Sequence, residues 1–311
     1  MPCYRPLRGY RAPFPNAKGK YPLFSIRPRD SELPAPGGAA AVDIPCGRCS
    51  GCLLERSRVW AVRCVHEASL YENNCFVTLT YSDGFLPSDR SLSKRHFQLF
   101  MKRMRKAYGS KIRFFACGEY GETWKRPHYH ACIFNFDFPD KVLWKVRDGV
   151  PLYTSVALSG LWPYGFSSVG AVTFESAAYT ARYVMKKVFG SDAKEHYSVM
   201  DPTTGEFFQL EPEFVLMSRR PGIGRDWYEK YRSDVFPSDL LVTRGVKMKP
   251  PRYYDNLYES DNPVGSYLIR IRRQYQAEQG SQDATMSRLK VRQQVVDAKI
   301  CQLKRGLDYE T

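Results

Sequence analysis

The stretch RPHYHACIF, Arg126 to Phe134, holds two of the chain's five histidines one residue apart. On an extended strand His128 and His130 point to one side and Tyr129 to the other. Two imidazoles on one face can chelate a single ion, although H-x-H alone is equally at home as a polar pair on a solvent-facing strand. Upstream, FACGEYGE offers Glu119, which an antiparallel pairing would carry to the same face. Two imidazoles and one carboxylate leave coordination positions open, as a catalytic divalent ion needs.

A second set lies in AAYTARYVMKK. On a helix Tyr179 and Tyr183 are four residues apart and share a face, with Lys186 on nearly the same stripe. A phenol is a poor nucleophile at neutral pH unless a cation or a metal-polarised electrophile favours the phenolate. Tyrosine attacking a metal-held phosphodiester would leave a covalent tyrosyl phosphate. The same spacing also suits two half-buried core aromatics. A third set is PCGRCSGC, in which Cys46, Cys49 and Cys52 are spaced C-x2-C-x2-C, with Cys3 far upstream. Such thiolates can hold structural zinc with a fourth ligand from a distant segment, and iron–sulfur ligation uses similar runs. Three reduced thiols at a helix start are the plain alternative.

The elements that must position these groups follow from periodicity. Residues 1–45 are rich in Pro, Gly and Ala without an amphipathic period, and an irregular arm is expected there. From Ser50 a helical stripe of Leu53, Trp60, Cys64 and Ala68 predicts a long helix ending near Asn73 and Asn74. CFVTLTY, Cys75 to Tyr81, predicts a buried strand closed by the turn SDG. A basic helix follows, with Ser93 as N-cap and Phe97, Phe100, Met101 and Met104 inward. KIRFFACGEYG and HYHACIFNF, joined by ETWKRP, predict an antiparallel hairpin. ESAAYTARYVMKKVFG predicts the tyrosine helix, stopping at Gly190, and the basic C-terminal residues read as two helices.

Composition bounds the partner. Forty-seven Lys and Arg against thirty-two Asp and Glu give a formal charge of +15, and twenty-one tyrosines and eighteen phenylalanines supply many π faces. That combination suits nucleic acid, single strands in particular. Nine cysteines without a secretory signal pattern point to reduced thiols or a metal rather than a disulfide framework. No apolar run of membrane-spanning length occurs, so no membrane partner is expected.

FVTLTY (76–81), PHYHACIF (127–134) and YTARYVMKK (179–187) resemble the three ordered motifs of HUH endonucleases that initiate rolling-circle replication. The double tyrosine, PCGRCSGC and SRRPGIGRDW are more narrowly similar to the initiators of gokushovirus-type microviruses, and the resemblance runs from Cys3 to about Tyr231. It implies an α+β fold: an antiparallel sheet of about five strands flanked by helices on one face, the endonuclease domain over 46–235, and a basic helical extension over 236–311. It further implies Mg2+ or Mn2+ on His128 and His130, with Tyr179 and Tyr183 alternating as nucleophiles. Both tyrosines head a Y-x-x-K/R pattern, YTAR and YVMK. Glu119 and Glu122 compete as third ligand, and Glu119, deeper in the strand, is preferred.

The expected mechanism nicks the phage origin, leaves a free 3′-hydroxyl for the host polymerase, and uses the second tyrosine to terminate. Lys186 or Arg182 would stabilise phenolate or phosphate charge, and Arg182, Lys187, Lys102 and Arg103 would contact DNA. Cys3, Cys46, Cys49 and Cys52 would hold structural Zn2+. A host helicase and polymerase are expected as partners, and a helicase reading of the chain itself is disfavoured because no G-x-x-x-x-G-K-[ST] occurs. The setting would be the cytoplasm of the bacterial host. Two alternatives stand beside this: a non-catalytic single-stranded-DNA-binding or packaging protein, and a relaxase or transposase with the same site.

Overall fold

Strands that carry apolar residues on both sides of the pleat must be covered on both faces. The computed structural model shows this in the middle of a seven-stranded antiparallel sheet. It describes residues 3–17, 21–31, 33–121, 125–147, 149–182, 192–200 and 205–302. In chain order the elements are β1 (Leu7–Arg11), β2 (Leu23–Pro28), β3 (Ala41–Ile44), α1 (Ser50–Ala68), β4 (Asn74–Thr80), α2 (Lys94–Tyr108), β5 (Arg113–Tyr120) and β6 (Pro127–Phe134). There follow β7 (Val142–Arg147), β8 (Val150–Thr154), α3 (Val156–Leu161), β9 (Ser167–Gly170), α4 (Phe174–Arg182), α5 (Asp192–His196), β10 (Ser198–Met200), β11 (Phe207–Gln209) and β12 (Phe214–Met217). The last are α6 (Arg225–Val235), β13 (Leu241–Thr243), β14 (Val246–Met248), α7 (Arg252–Asp261), α8 (Pro263–Gln279) and α9 (Met286–Gln302).

The chain divides into two compact units, Met1–Arg56 with Val264–Lys304, and Ser57–Pro263. In the second, the strand order is β12-β5-β6-β4-β9-β8-β7. All eight residues of β6 are buried. Tyr129, Ala131 and Ile133 join Val77, Leu79, Phe97, Phe100 and Met104 in one core. Cys132 and Phe134 face the other way, with Phe76, Phe115, Cys117, Ala61, Cys64 and Ala177. Helices therefore cover both faces, α2 and α3 on one and α1 and α4 on the other, which corrects the expectation of helices on one face only. The β-strand count also exceeds five, because the β7–β8 hairpin extends the sheet beyond β9.

The basic helix forms as its sequence predicts. Ser93 Oγ accepts the amide of His96 at 3.3 Å, a cap worth about 1 kcal/mol. Phe97, Phe100, Met101 and Met104 are its buried residues, each contributing roughly 1.5–3 kcal/mol by leaving water. Beyond β4 the chain crosses the backbone of Thr80 to Ser82 at Gly165, φ 155°, where a Cβ would sit 2.3 Å from the Ser82 nitrogen.

In the first unit β1 pairs with β2 on one side and β3 on the other. The arm expected to be irregular thus carries three strands. Its sequence lacks the strand signature because β2 is exposed at five of six positions and has no face to bury. The two expected C-terminal helices are α8 and α9, while α6 and α7 arise from loop-like sequence.

Candidate active site

Antiparallel pairing of β5 and β6 sets Glu119 opposite His128 and Cys117 opposite His130. Since 117, 119, 128 and 130 have matching pleat parity, the carboxylate and both imidazoles project from the face that α1 and α4 cover. His128 Nε2 and His130 Nε2 each lie 2.8 Å from the same atom, Glu119 Oε1. The two imidazoles stand at 89° to one another, 5.0 Å apart. Exposure falls from 8% at His128 to 1% at Glu119 and 0% at His130.

Each ring is held from behind. His128 Nδ1 lies 3.0 Å from the Arg126 carbonyl, and His130 Nδ1 lies 3.0 Å from Thr78 Oγ1, on the paired strand β4. Phe76 stacks on the His130 ring at 5.7 Å and 8°. From α4, the Tyr179 hydroxyl donates to Glu119 Oε1 at 3.4 Å, and its ring stands perpendicular to His130 at 5.0 Å. Tyr179 is 5% exposed.

The chemistry of this donor set fits a cation. A carbonyl only accepts, so the Nδ1 of His128 carries a proton, and in a neutral ring Nε2 then presents a lone pair to a carboxylate oxygen that also only accepts. That contact needs positive charge between the atoms, supplied by a second ring proton or by a metal. The back-bonded imidazoles are the arrangement metal-ligating histidines adopt. The second oxygen, Glu119 Oε2, is buried with no hydrogen bond among the described residues and is a further candidate ligand atom. Burial pushes the Glu119 carboxyl up, but the charge of His128 and hydrogen bonds from His128 and His130 outweigh it and hold it below its ordinary value. Two neutral nitrogens and one carboxylate suit Mg2+, Mn2+ or another divalent ion with open positions.

The remaining expected residues fare differently. Glu122, Tyr183, Lys186 and Lys187 lie outside the described residues. Arg182 closes α4, and its side chain is likewise not described. Lys102 and Arg103 are not brought to the site: α2 packs on the opposite sheet face, and Arg103 Nε donates to the Leu161 carbonyl at 2.8 Å. Closer to the histidines is a cleft of about 520 Å³ whose walls include Thr80, Ser82, Arg90, Lys125, Arg126 and Phe166. Arg126 donates to the Tyr81 carbonyl at 2.7 Å and pairs with Asp83.

Two features of the site escaped the sequence reading. Thr78 was signalled by its place as a polar residue within an apolar strand. Lys125 and Arg126 were signalled by sitting next to the H-x-H pair, in a segment read only as a connector.

Comparison with known proteins bears on what this site serves. The family model of replication-associated protein ORF2/G2P matches residues 74–188. Replication-associated protein VP4 of Bdellovibrio phage phiMH2K is 34% identical over 274 residues, 85% of this chain and 79% of that protein. Replication-associated protein ORF2 of Spiroplasma virus 4 is 34% identical over 245 residues, 74% of this chain and 72% of its own length. Replication-associated protein ORF4 of Chlamydia phage 1 is 32% identical over 225 residues, 69% of this chain and 53% of its own. No solved structure matches the chain.

Proposed function

The chain belongs to the family of phage replication-associated proteins, and from that premise we propose that it initiates rolling-circle replication by nicking and rejoining single-stranded DNA at the phage origin through a covalent 5′-phosphotyrosine. The observation that carries the reading is the convergence of His128, His130 and the Tyr179 phenol on one oxygen of Glu119. A nucleophile, a cation-binding set and a buried, water-poor setting occur together there.

His128, His130 and Glu119 would hold Mg2+ or Mn2+, which when bound supplies Lewis-acid polarisation of the scissile phosphate. The tyrosine hydroxyl, Tyr179 or Tyr183, gives up its proton and attacks phosphorus. The P–O3′ bond breaks, the leaving oxygen takes a proton to become a free 3′-hydroxyl, and the 5′-phosphate remains esterified to the phenol. Lys186 or Arg182 balances the phenolate or phosphate charge. Host polymerase extends the 3′-hydroxyl and a host helicase opens the duplex. When the origin is regenerated the second tyrosine cuts it, and reversal of the first step closes the displaced strand into a circle. We assign this chemistry to residues 46–235.

A net charge of +15 supports backbone binding in this reading. Among the described residues no helix is long and apolar enough to cross a membrane. In this reading the protein acts on phage DNA in the bacterial cytoplasm.

The test is to incubate the protein with labelled origin single strand and Mn2+ and to locate the label by mass spectrometry. The expected result is a nucleotide adduct on Tyr179 or Tyr183. Tight DNA binding without any adduct would instead make the protein a non-catalytic single-strand binder.

A further inference from the structure

We infer that Cys3, Cys46, Cys49 and Cys52 form a closed tetrathiolate site for one Zn2+ ion, which ties the segment before β1 to the start of α1 in the first unit. The inference is independent of the nicking reading. The four sulfurs all lie within 4.8 Å of one another, and Cys49 Sγ is 4.0 Å from Cys3 Sγ. Zinc–sulfur bonds of about 2.3 Å in a tetrahedron place sulfurs about 3.8 Å apart, so the four need only a small contraction to close on one ion. All nine cysteines are free thiols, so no disulfide accounts for the convergence. Thiols are weak donors and weak acceptors, and four of them gain little from meeting.

The surroundings are built for negative sulfur. The amide of Tyr4 donates to Cys49 Sγ at 3.3 Å, that of Cys46 to Cys3 Sγ at 3.3 Å, and those of Cys49 and Arg48 to Cys46 Sγ at 3.3 and 3.5 Å. Amides aimed at sulfur stabilise thiolate over thiol and orient metal-ligating cysteines. Among the described residues no Asp or Glu joins the cluster, and an all-thiolate set selects zinc over Mg2+ or Mn2+.

The site also answers a packing deficit. The buried core at this point is Cys3, Tyr4, Cys49 and Leu289, with Met286 and Val296 of α9 packed against it. Such a core is small for three strands and a long helix, the situation in which small units carry a metal staple. Cys3 precedes β1 while Cys46, Cys49 and Cys52 surround the start of α1, so one ion would fix both segments beneath α9.

The experiment uses the full chain, purified without chelator, with metal measured by elemental mass spectrometry. About one zinc per chain is expected, released by a mercurial titration of the thiols. Replacement by Co2+ should give intense thiolate charge-transfer absorption and tetrahedral d–d bands. Cys3→Ser should weaken zinc retention against a competing chelator at least tenfold, while Cys301→Ser, at an exposed thiol, should leave it unchanged. If Cys3→Ser does not fold, the parent chain still decides: metal-free protein whose four cluster thiols alkylate as fast as Cys301 overturns the site. One iron per chain in place of zinc overturns the choice of metal.

Discussion

The Glu119, His128 and His130 cluster and the four-thiol cluster both gather groups able to hold a metal ion, but they are made of opposite materials. One uses two nitrogens and a carboxylate, with a tyrosine hydroxyl 3.4 Å from the shared oxygen. The other uses four sulfurs and, in the inference above, encloses its ion completely. Three ligands leave room for a phosphate; four thiolates do not. The first sits in a sheet packed on both faces by large apolar cores, whereas the second lies where little else is buried. Loss of the first set should therefore silence chemistry and spare folding, and loss of the second should do the reverse.

The largest expected effect tests the reactive half of that contrast. A Tyr179→Phe, Tyr183→Phe double variant should form no covalent adduct with origin DNA, measured on denaturing gels. Each single variant should still nick once, accumulate adduct and fail to release closed circles, because termination needs a second nucleophile while the first is esterified. Tyr183→Phe should be the more damaging, since YVMK supplies a lysine that can exchange a proton where YTAR supplies an arginine that cannot. Normal circle release by Tyr179→Phe would return Tyr179 to the role of a core aromatic.

Next come the ligands. His128→Ala or His130→Ala should lower the cleavage rate by about 10³-fold or more, the loss of several kcal/mol of charge stabilisation, with DNA affinity changed only a few-fold. Cleavage at the parent rate in either variant would remove the divalent site.

A histidine outside both clusters sharpens the comparison by showing what burial without a metal does. His66 is 8% exposed, stacks on Trp227 at 3.5 Å, and has Nδ1 3.0 Å from the Tyr254 hydroxyl. Burial takes its pKa down to about 4 from the ordinary 6.5. Between those values the unfolded chain binds the proton and the folded chain does not, so stability rises with pH there. The contribution is whole above pH 6.5 and is lost as pH falls toward 4, about 3 kcal/mol over the window. Denaturant melts between pH 7 and 4 should show this slope, and His66→Gln should flatten it regardless of added chelator. An equal slope in both proteins would assign the acid sensitivity elsewhere.

How much of this was legible in the sequence depended on whether a residue's neighbours lie nearby along the chain. The H-x-H parity, the β5–β6 hairpin and the inward face of α2 follow from local period, and Glu119 follows once the hairpin register is drawn. The second helical layer was signalled in CFVTLTY and HYHACIF by large apolar residues on both sides of the pleat, Phe76 and Cys132 on one and Leu79 and Ile133 on the other, and apolar residues on both sides call for two covers. The first unit was not legible. Its strands bury little, so they leave no alternation, and the meeting of Cys3 with α9 joins segments more than 280 residues apart. Spacing could nominate Cys3 as a fourth ligand, but only the fold brings its sulfur to the other three.

The smallest effect is the most discriminating, because the two clusters differ in what holds their ligands. The thiol cluster is oriented by backbone amides, which no side-chain substitution removes. In the histidine cluster the Arg126 carbonyl serves His128, but His130 relies on a side chain, Thr78 Oγ1 at 3.0 Å. For His130 Nε2 to offer a lone pair to a cation, Nδ1 must carry the proton, and Thr78 is placed to accept it. Valine keeps the shape and the β-branch of Thr78 in β4 and removes only the acceptor, leaving the Nδ1 proton buried without it. Thr78→Val should shift the Mn2+ concentration for half-maximal cleavage upward by roughly 10–100-fold, with the rate recovering at saturating Mn2+. Zinc content and melting temperature should move little. A rate that stays low at saturating metal would mean that Thr78 orients something other than the His130 ligand, and an unshifted metal profile would mean that the sheet alone fixes the ring.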